Sequence, residues 1–400
     1  MNKEKNFKYD TINEGTDAPL MITWDLLRRC SFDCTYCPPH RHDLVSQFPS
    51  YKEVWSVADF IVDYSDVLLS YRKEKVARIC FTGGEPTIYP DFKKLVLNLN
   101  KKFNRIEKAK LELFNTVTTN GAFGDDMMNF ISENLTWATV SYHTEATKIA
   151  KKRSIKSMLG IHENKQNGKK CGIGVNVMFH QKYFDECKEL CELLDSKNIK
   201  FNPRFIGDGG DPSLPYTHHY TEDQTDYILN FWKNKRKLTD KIGEQENTAT
   251  QVTTKSDKKI YARGLGRACC AMRDLTLSNS DTNATCPTNW ISHTHFKDWY
   301  CSVNWFFLHI DQKQNELLHH QTCKQLWGKK RGAITDLSKE SLNTHLEWIK
   351  EKLKANEFPV LQCSKTTCSC GMCAPKSSNF NSFKKVLSDH VDVKVLKEMP

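Results

Sequence analysis

The chain has 400 residues, 39% apolar and 26% charged, which excludes a disordered polymer and leaves room for more than one core. No apolar run approaches a membrane span and the first residues lack a signal-peptide pattern, so a cytoplasmic protein with no membrane partner is expected. The net charge of +10 is uneven, with 36 Lys+Arg against 34 Asp+Glu in residues 1–250 and 22 against 14 in 251–400; a solvated basic surface is the more common explanation of such an excess, and nucleic acid stays open as the lesser one.

In chain order, short β-branched or aromatic runs at 21–27, 77–81, 111–118, 137–143, 173–179 and 200–206 read as strands. Amphipathic stretches at 57–71, 92–103, 125–133, 146–162, 184–197 and 222–237 read as helices. This alternation gives βαβ units and a parallel sheet. Six units are too few for a closed eight-fold barrel and suit a partial one. The polar stretch 244–259 reads as a linker. Beyond it, 305–310 and 315–320 form a strand pair around a turn at 311–314, and 341–354 is an amphipathic helix. The resulting division is an N-terminal segment 1–19, a barrel 20–243, a linker and bridging region 244–300, a small α+β domain 301–380 and a tail 381–400.

Cys30, Cys34 and Cys37 are spaced C-x3-C-x2-C. Sixteen cysteines in such a chain favour metal ligation over disulfides. Three local thiolates suit an iron–sulfur cluster with one open iron, or half of a zinc site completed elsewhere. Phe81-Thr82-Gly83-Gly84-Glu85-Pro86 follows the second strand, where glycines let a backbone approach a ligand and the glutamate adds an acceptor. Thr118-Thr119-Asn120-Gly121 and Ser141-Tyr142-His143-Thr144-Glu145 end the next two strands. Polar clusters at successive strand ends lie on the face where α/β barrels bind ligands.

Taken together, Cys30, Cys34 and Cys37 with Tyr36 between them, Gly83-Gly84-Glu85-Pro86 and Thr119-Asn120-Gly121 resemble the radical S-adenosylmethionine (radical SAM) superfamily over residues 20–210, and the zinc reading falls away. The resemblance implies a partial (β/α)6 TIM-type barrel. It implies a [4Fe–4S] cluster on the three cysteines that binds S-adenosylmethionine, and a one-electron donor such as flavodoxin or ferredoxin. Reductive cleavage to methionine and a 5′-deoxyadenosyl radical is then the expected reaction, followed by hydrogen abstraction from a peptide or small molecule. By the same resemblance Gly83, Gly84 and Glu85 meet the methionyl amino group and Tyr36 packs near the adenine. Ser141, His143 and Asn120 fall near the ribose or carboxylate, Asn176 and Met178 near the adenine, and Arg204 near the carboxylate or substrate.

Cys301 and Cys323 flank the strand pair, and Cys363, Cys368, Cys370 and Cys373 follow. This resembles the auxiliary-cluster (twitch or SPASM) domains of the superfamily, with a second [4Fe–4S] cluster on Cys301, Cys323 and two of Cys368, Cys370 and Cys373. Cys363 is a spare or alternative ligand, and a structural zinc site is the other reading. Cys80, Cys171, Cys187 and Cys191 read as core thiols, and Cys269, Cys270 and Cys286 as inert. A non-enzymatic electron carrier or zinc-binding interaction protein is opposed by the Gly83–Pro86 motif, which a carrier does not need. A nucleotide or nucleic-acid substrate is the lesser substrate alternative.

Overall fold

The structure, a computed structural model, describes residues 9–13, 19–37, 42–105, 112–206, 220–228, 230–231, 249–254, 259–263, 297–318, 336–363 and 375–398. Its strands are β1 Tyr9–Asn13, β2 Leu20–Leu27, β3 Val76–Gly83, β4 Glu112–Thr119, β5 Trp137–His143, β6 Gly172–Phe179 and β7 Lys200–Phe205. They continue with β8 Ala249–Thr254, β9 Lys259–Arg263, β10 Tyr300–Cys301, β11 Phe307–Asp311, β12 Glu316–Leu318, β13 Phe358–Pro359, β14 Leu361–Gln362, β15 Lys376–Ser377 and β16 Leu396–Lys397. The helices used below are α1 Tyr51–Ser70, α2 Phe92–Phe103, α3 Asp125–Asn134, α4 Lys148–Gln166, α5 Phe184–Ser196, α6 Lys339–Lys354 and α7 Phe380–Leu387. Among the described residues no helix is long and apolar enough to cross a membrane.

The main sheet runs β12-β11-β2-β3-β4-β5-β6-β7, parallel except for β12, and forms the arc of a partial TIM-type barrel. Each strand has two unequal faces. Ile22, Trp24, Ile79, Phe81, Val140, Val175 and Val177 are buried on the outer face, in one core with apolar residues of α1, α2, α4 and α5. The inner face carries Thr23, Asp25, Cys80, Thr82, Thr118, Ser141, His143, Asn176 and Arg204, all half-buried. A closed barrel fills that space with branched apolar chains; here it is polar and open to a ligand.

α1 begins six residues before its expected start. Ser50 accepts from the Glu53 amide and the Glu53 carboxylate accepts from the Ser50 amide, a capping box that fixes the first turn. The expected strand pair at 305–320 forms as the antiparallel pair β11–β12, after a single helical turn at Val303–Phe306. It does not stand in a separate domain: β11 hydrogen-bonds in parallel to β2, with Phe307 beside Met21 and Asp311 beside Asp25. A first strand with an unpaired edge needs cover, and β11 provides it.

A second sheet, β14-β10-β15-β1-β8-β9, gathers strands from the segments read as N-terminal, linker and auxiliary. The stretch read as a linker thus contains β8 and β9, an antiparallel pair whose β-branched Thr250, Val252, Thr253 and Thr254 suit a strand. The expected tail is also built in, through α7 and the β13–β16 pairing. Of the expected helix 222–237, residues 222–228 and 230–231 are helical and 232–237 lie outside the described residues.

Candidate functional site

The cysteine loop leaves the C-terminal end of β2. The Cys30 amide donates to the Asp43 carbonyl at 2.7 Å, the Asp43 amide to the Arg28 carbonyl at 3.1 Å, and the Cys37 amide to the Cys34 carbonyl at 3.0 Å. Arg28 Nε pairs with the Asp43 carboxylate at 2.8 Å. Cys34 is buried; Cys30 and Cys37 are half-buried.

Gly83 and Gly84 hold this loop from the side. Gly83 has φ +121°, and a Cβ there would lie 2.4 Å from the Leu27 carbonyl oxygen. A Cβ on Gly84 would lie 2.2 Å from the Arg29 carbonyl oxygen. The close approach forms two hydrogen bonds, Gly84 N–H to the Leu27 carbonyl at 2.6 Å and Glu85 N–H to the Arg29 carbonyl at 2.9 Å. The glycines read from the sequence as room for a ligand are therefore required first by the cysteine loop's own backbone.

Glu85 is 1% exposed. Its Oε1 accepts from the Thr87 amide (3.1 Å), the Thr87 hydroxyl (2.6 Å) and the Thr119 hydroxyl (2.7 Å), and its Oε2 from the Asn120 amide (2.6 Å). Burial holds its carboxyl above the usual range, and these donors oppose the rise. Asn120 Nδ2 in turn donates to Ser31 Oγ in the cysteine loop at 2.9 Å. The glutamate side chain is thus a latch between β3, β4 and the loop.

On the far side His143 closes the site. Tyr36 stacks on it at 5.9 Å and 12°, Phe32 meets it edge-on, and Nδ1 lies 2.6 Å from the Tyr36 hydroxyl and 3.6 Å from Cys34 Sγ. Burial lowers His143 to about 4, so the ring is neutral near pH 7, and burial raises the Tyr36 phenol. The protonated phenol donates to the imidazole. Glu145 accepts from the Thr35 amide and hydroxyl, both at 2.7 Å, fixing the loop's outer turn.

Farther along the inner face, Ser141 registers with Asn176 and Asn176 with Asn202, while His143 registers with Met178 and Met178 with Arg204. Arg204 Nε donates to Asn176 Oδ1 at 3.4 Å. One polar row, Ser141–Asn176–Asn202, and one in which Met178 separates His143 from Arg204 cross β5, β6 and β7. The structure therefore gathers Cys30, Cys34, Tyr36, Cys37, Gly83, Gly84, Glu85, Asn120 and His143 at one loop, with Ser141, Asn176 and Arg204 on the adjoining wall. Residues that sequence reasoning missed are Ser31, Arg28, Asp43 and Thr87; a polar stretch following the cysteines was the only signal for Asp43.

The donor set fits an iron–sulfur cluster. Three thiols within eight residues share one loop, and the Phe32 amide points at Cys30 Sγ at 3.5 Å, the kind of hydrogen bond that tunes such clusters. Burial pushes Cys30 up to about 11 and Cys34 up to about 12, and neighbouring cysteines add to both. Ligation must therefore release protons. Cys301 and Cys363 are also buried. β10 and β14 pair with Cys301 opposite Leu361, so Cys363 is its diagonal neighbour on the same face. Cys323, Cys368, Cys370, Cys373, Cys269, Cys270 and Cys286 lie outside the described residues, whereas Cys171, Cys187 and Cys191 are core thiols and Cys80 faces the barrel interior.

Residues 24–194 match the family model for the radical SAM superfamily. A comparison with curated protein sequences gave no match. Among solved structures, the chain is similar to native anSMEcpe with bound AdoMet, at 18% identity and TM-score 0.40 over 54% of this chain and 61% of that one. It is similar to BtrN in complex with AdoMet and 2-DOIA at 16% identity and TM-score 0.28, over 39% of this chain and 56% of that one. For coproporphyrinogen III oxidase (HemN) from Escherichia coli the values are 8% identity, TM-score 0.32 and 60% of each chain. The chain thus spans 61% of the length of the first of these. Residues 24–194, an open parallel barrel with a glycine-braced cysteine loop at its mouth, are the part of the chain that matches the radical SAM superfamily model.

Proposed function

We propose that the protein is a radical SAM enzyme whose Cys30, Cys34 and Cys37 hold a [4Fe–4S] cluster. The observation that carries this reading is the loop itself: three thiols braced by Gly83, Gly84 and Asn120 at the open end of a polar barrel. Cys30, Cys34 and Cys37 would hold the cluster, which, once reduced by a one-electron donor, would supply the electron for cleavage of S-adenosylmethionine to methionine and a 5′-deoxyadenosyl radical, and that radical would take a hydrogen atom from the substrate. The protein's own part is positioning. Tyr36 and His143 wall one side of the cysteine loop, and the half-buried Gly83 and Gly84 bound the other. Ser141, Asn176 and Arg204 supply hydroxyl, amide and guanidinium groups for the ribose and carboxylate of S-adenosylmethionine.

The substrate's place is a cavity of about 360 Å3 on the β2–β3–β11 side, lined by Thr23, Cys80, Thr82, Gly83 and Thr118 among others. That volume and polar lining suit a small polar molecule or one side chain of a peptide. We also propose a second cluster on Cys301 and Cys323 with two of Cys368, Cys370 and Cys373, and Cys363 beside Cys301 is the alternative ligand.

One anaerobic reconstitution tests both sites. The wild type should bind about eight iron per chain and form 5′-deoxyadenosine with dithionite and S-adenosylmethionine. Cys34→Ala should form none while keeping about half the iron, and Cys301→Ala should lose the other half. An intact cluster that leaves S-adenosylmethionine uncleaved sinks the enzyme reading; unchanged iron in Cys301→Ala sinks the second cluster.

A further inference from the structure

The inner wall carries a second polar group that cleavage of S-adenosylmethionine leaves unused. Asp25 stands near the end of β2, and His309 and Asp311 stand on β11. The parallel register sets Asp311 beside Asp25, and the two-residue period of a strand puts His309 on the same face as Asp311. One ligand atom from each of the three lies within 4.8 Å of the other two. His309 Nε2 is 3.3 Å from Asp25 Oδ2. Across the next pairing, Glu316 on β12 is the register partner of Asp311. All four residues line the cavity just described.

Three carboxylates in register across three strands repel one another. Arg28 and Lys313 also line the cavity, and Arg28 is paired through Nε with Asp43. His309 is 3% exposed, and its Nδ1 has no hydrogen-bond partner. Asp311 Oδ1 accepts from the Gln314 amide at 2.9 Å, so the turn between β11 and β12 fixes that carboxylate's orientation, as outer-shell partners do for ligating groups.

We infer that Asp25, His309 and Asp311 bind a divalent first-row transition-metal ion in the barrel wall, apart from the cysteine loop. Two carboxylates and one imidazole suit such ions, whereas calcium takes six to eight oxygens. Bond lengths of roughly 2.0–2.2 Å place adjacent ligand atoms about 3 Å apart. Rotation of the Asp25 and His309 side chains toward the fixed Asp311 carboxylate would supply that contraction, because the strand register already aligns the three residues. The remaining coordination positions face the cavity, where the ion would hold an oxygen or nitrogen of the molecule bound there. The site does not depend on the iron–sulfur cluster.

Mn2+ is the probe. Reconstituted holoenzyme, its cluster kept oxidised and diamagnetic, is titrated with Mn2+ while the six-line electron paramagnetic resonance signal reports the free ion. The wild type should bind one equivalent. Asp25→Asn and Asp311→Asn, each shown folded by circular dichroism, should bind tenfold or more weakly. Cys34→Ala should bind Mn2+ as the wild type does. Absence of binding in the wild type, wild-type affinity in either Asn variant, or loss of binding in Cys34→Ala would each overturn the assignment.

Discussion

The two ends of the parallel sheet bury polar groups in opposite ways. At the C-terminal ends of β3, β4 and β5, Glu85, Asn120 and His143 are partnered by the cysteine loop and by the loops that brace it. At the N-terminal end of β3, Arg72 and Glu74 are partnered by segments from the far end of the chain. Arg72 is buried, donates Nη1 to the Trp305 carbonyl at 2.9 Å, lies 4.6 Å over the Phe306 ring and faces Glu74 at 3.4 Å. His390 sits 3.5 Å from Glu74, and the Lys73 amide donates to the His390 carbonyl at 2.9 Å. One end shapes a site open to a cavity; the other ties the C-terminal segment to the barrel. Polar burial alone therefore does not mark function; what matters is whether the partners lead to open space or close it.

The largest effect expected from this contrast is at the closed end. Arg72→Met removes the cation and leaves Glu74 and the Trp305 carbonyl without it, at a cost of about 3–5 kcal/mol. Denaturant unfolding should show that loss, while 5′-deoxyadenosine formed per intact cluster stays unchanged. A parallel fall in the rate per cluster would break the division between the two ends.

Glu85→Gln tests the open end and should cost less stability, about 1–3 kcal/mol. A glutamine keeps the size and one acceptor oxygen, but its amide would face hydroxyl or N–H donors that the carboxylate satisfied. The damage should fall on the cysteine loop, since Asn120 and the Glu85 backbone both brace it. Iron retained after gel filtration should drop more than in Arg72→Met; the reverse order would mean the latch is not coupled to the loop.

Local chemistry made one of these ends legible and left the other unread. The cysteine spacing, Gly83-Gly84-Glu85 and the strand-end polar clusters lie within short windows, so pattern and turn chemistry reveal them. What Gly84 makes room for, the Arg29 carbonyl, lies 55 residues away in sequence and follows only from the pairing of β2 with β3. The insertion of β11 beside β2 joins residues near 21–25 to residues near 307–311, and no periodicity in either segment announces a partner at that distance. Both Asp25 with His309 and Arg72 with Trp305 depend on that insertion or its neighbours. The Ser50–Glu53 capping box was legible and overlooked, because the apolar pattern of α1 becomes regular only one turn later.

A third buried group, in the helical layer between those two ends, gives the smallest effect and the sharpest sign. His345 on α6 is buried against Phe60 of α1 and stacked on Trp348, and its Nδ1 has no hydrogen-bond partner. Burial lowers it to about 4. Between the ordinary value near 6.5 and that value, the unfolded chain binds a proton that the folded chain does not. Stability must therefore fall as pH drops through this window, by on the order of 1–2 kcal/mol at pH 5. His345→Leu keeps the site apolar and should flatten the pH dependence of unfolding between pH 7 and 5. His143 is lowered to about 4 by the same cause, but Glu145 opposes the shift there. The slope that survives in His345→Leu should then shrink again on His143→Gln, and only this second change should also disturb cleavage of S-adenosylmethionine. Equal effects of the two substitutions on cleavage would show that the helical layer and the open end are not separable.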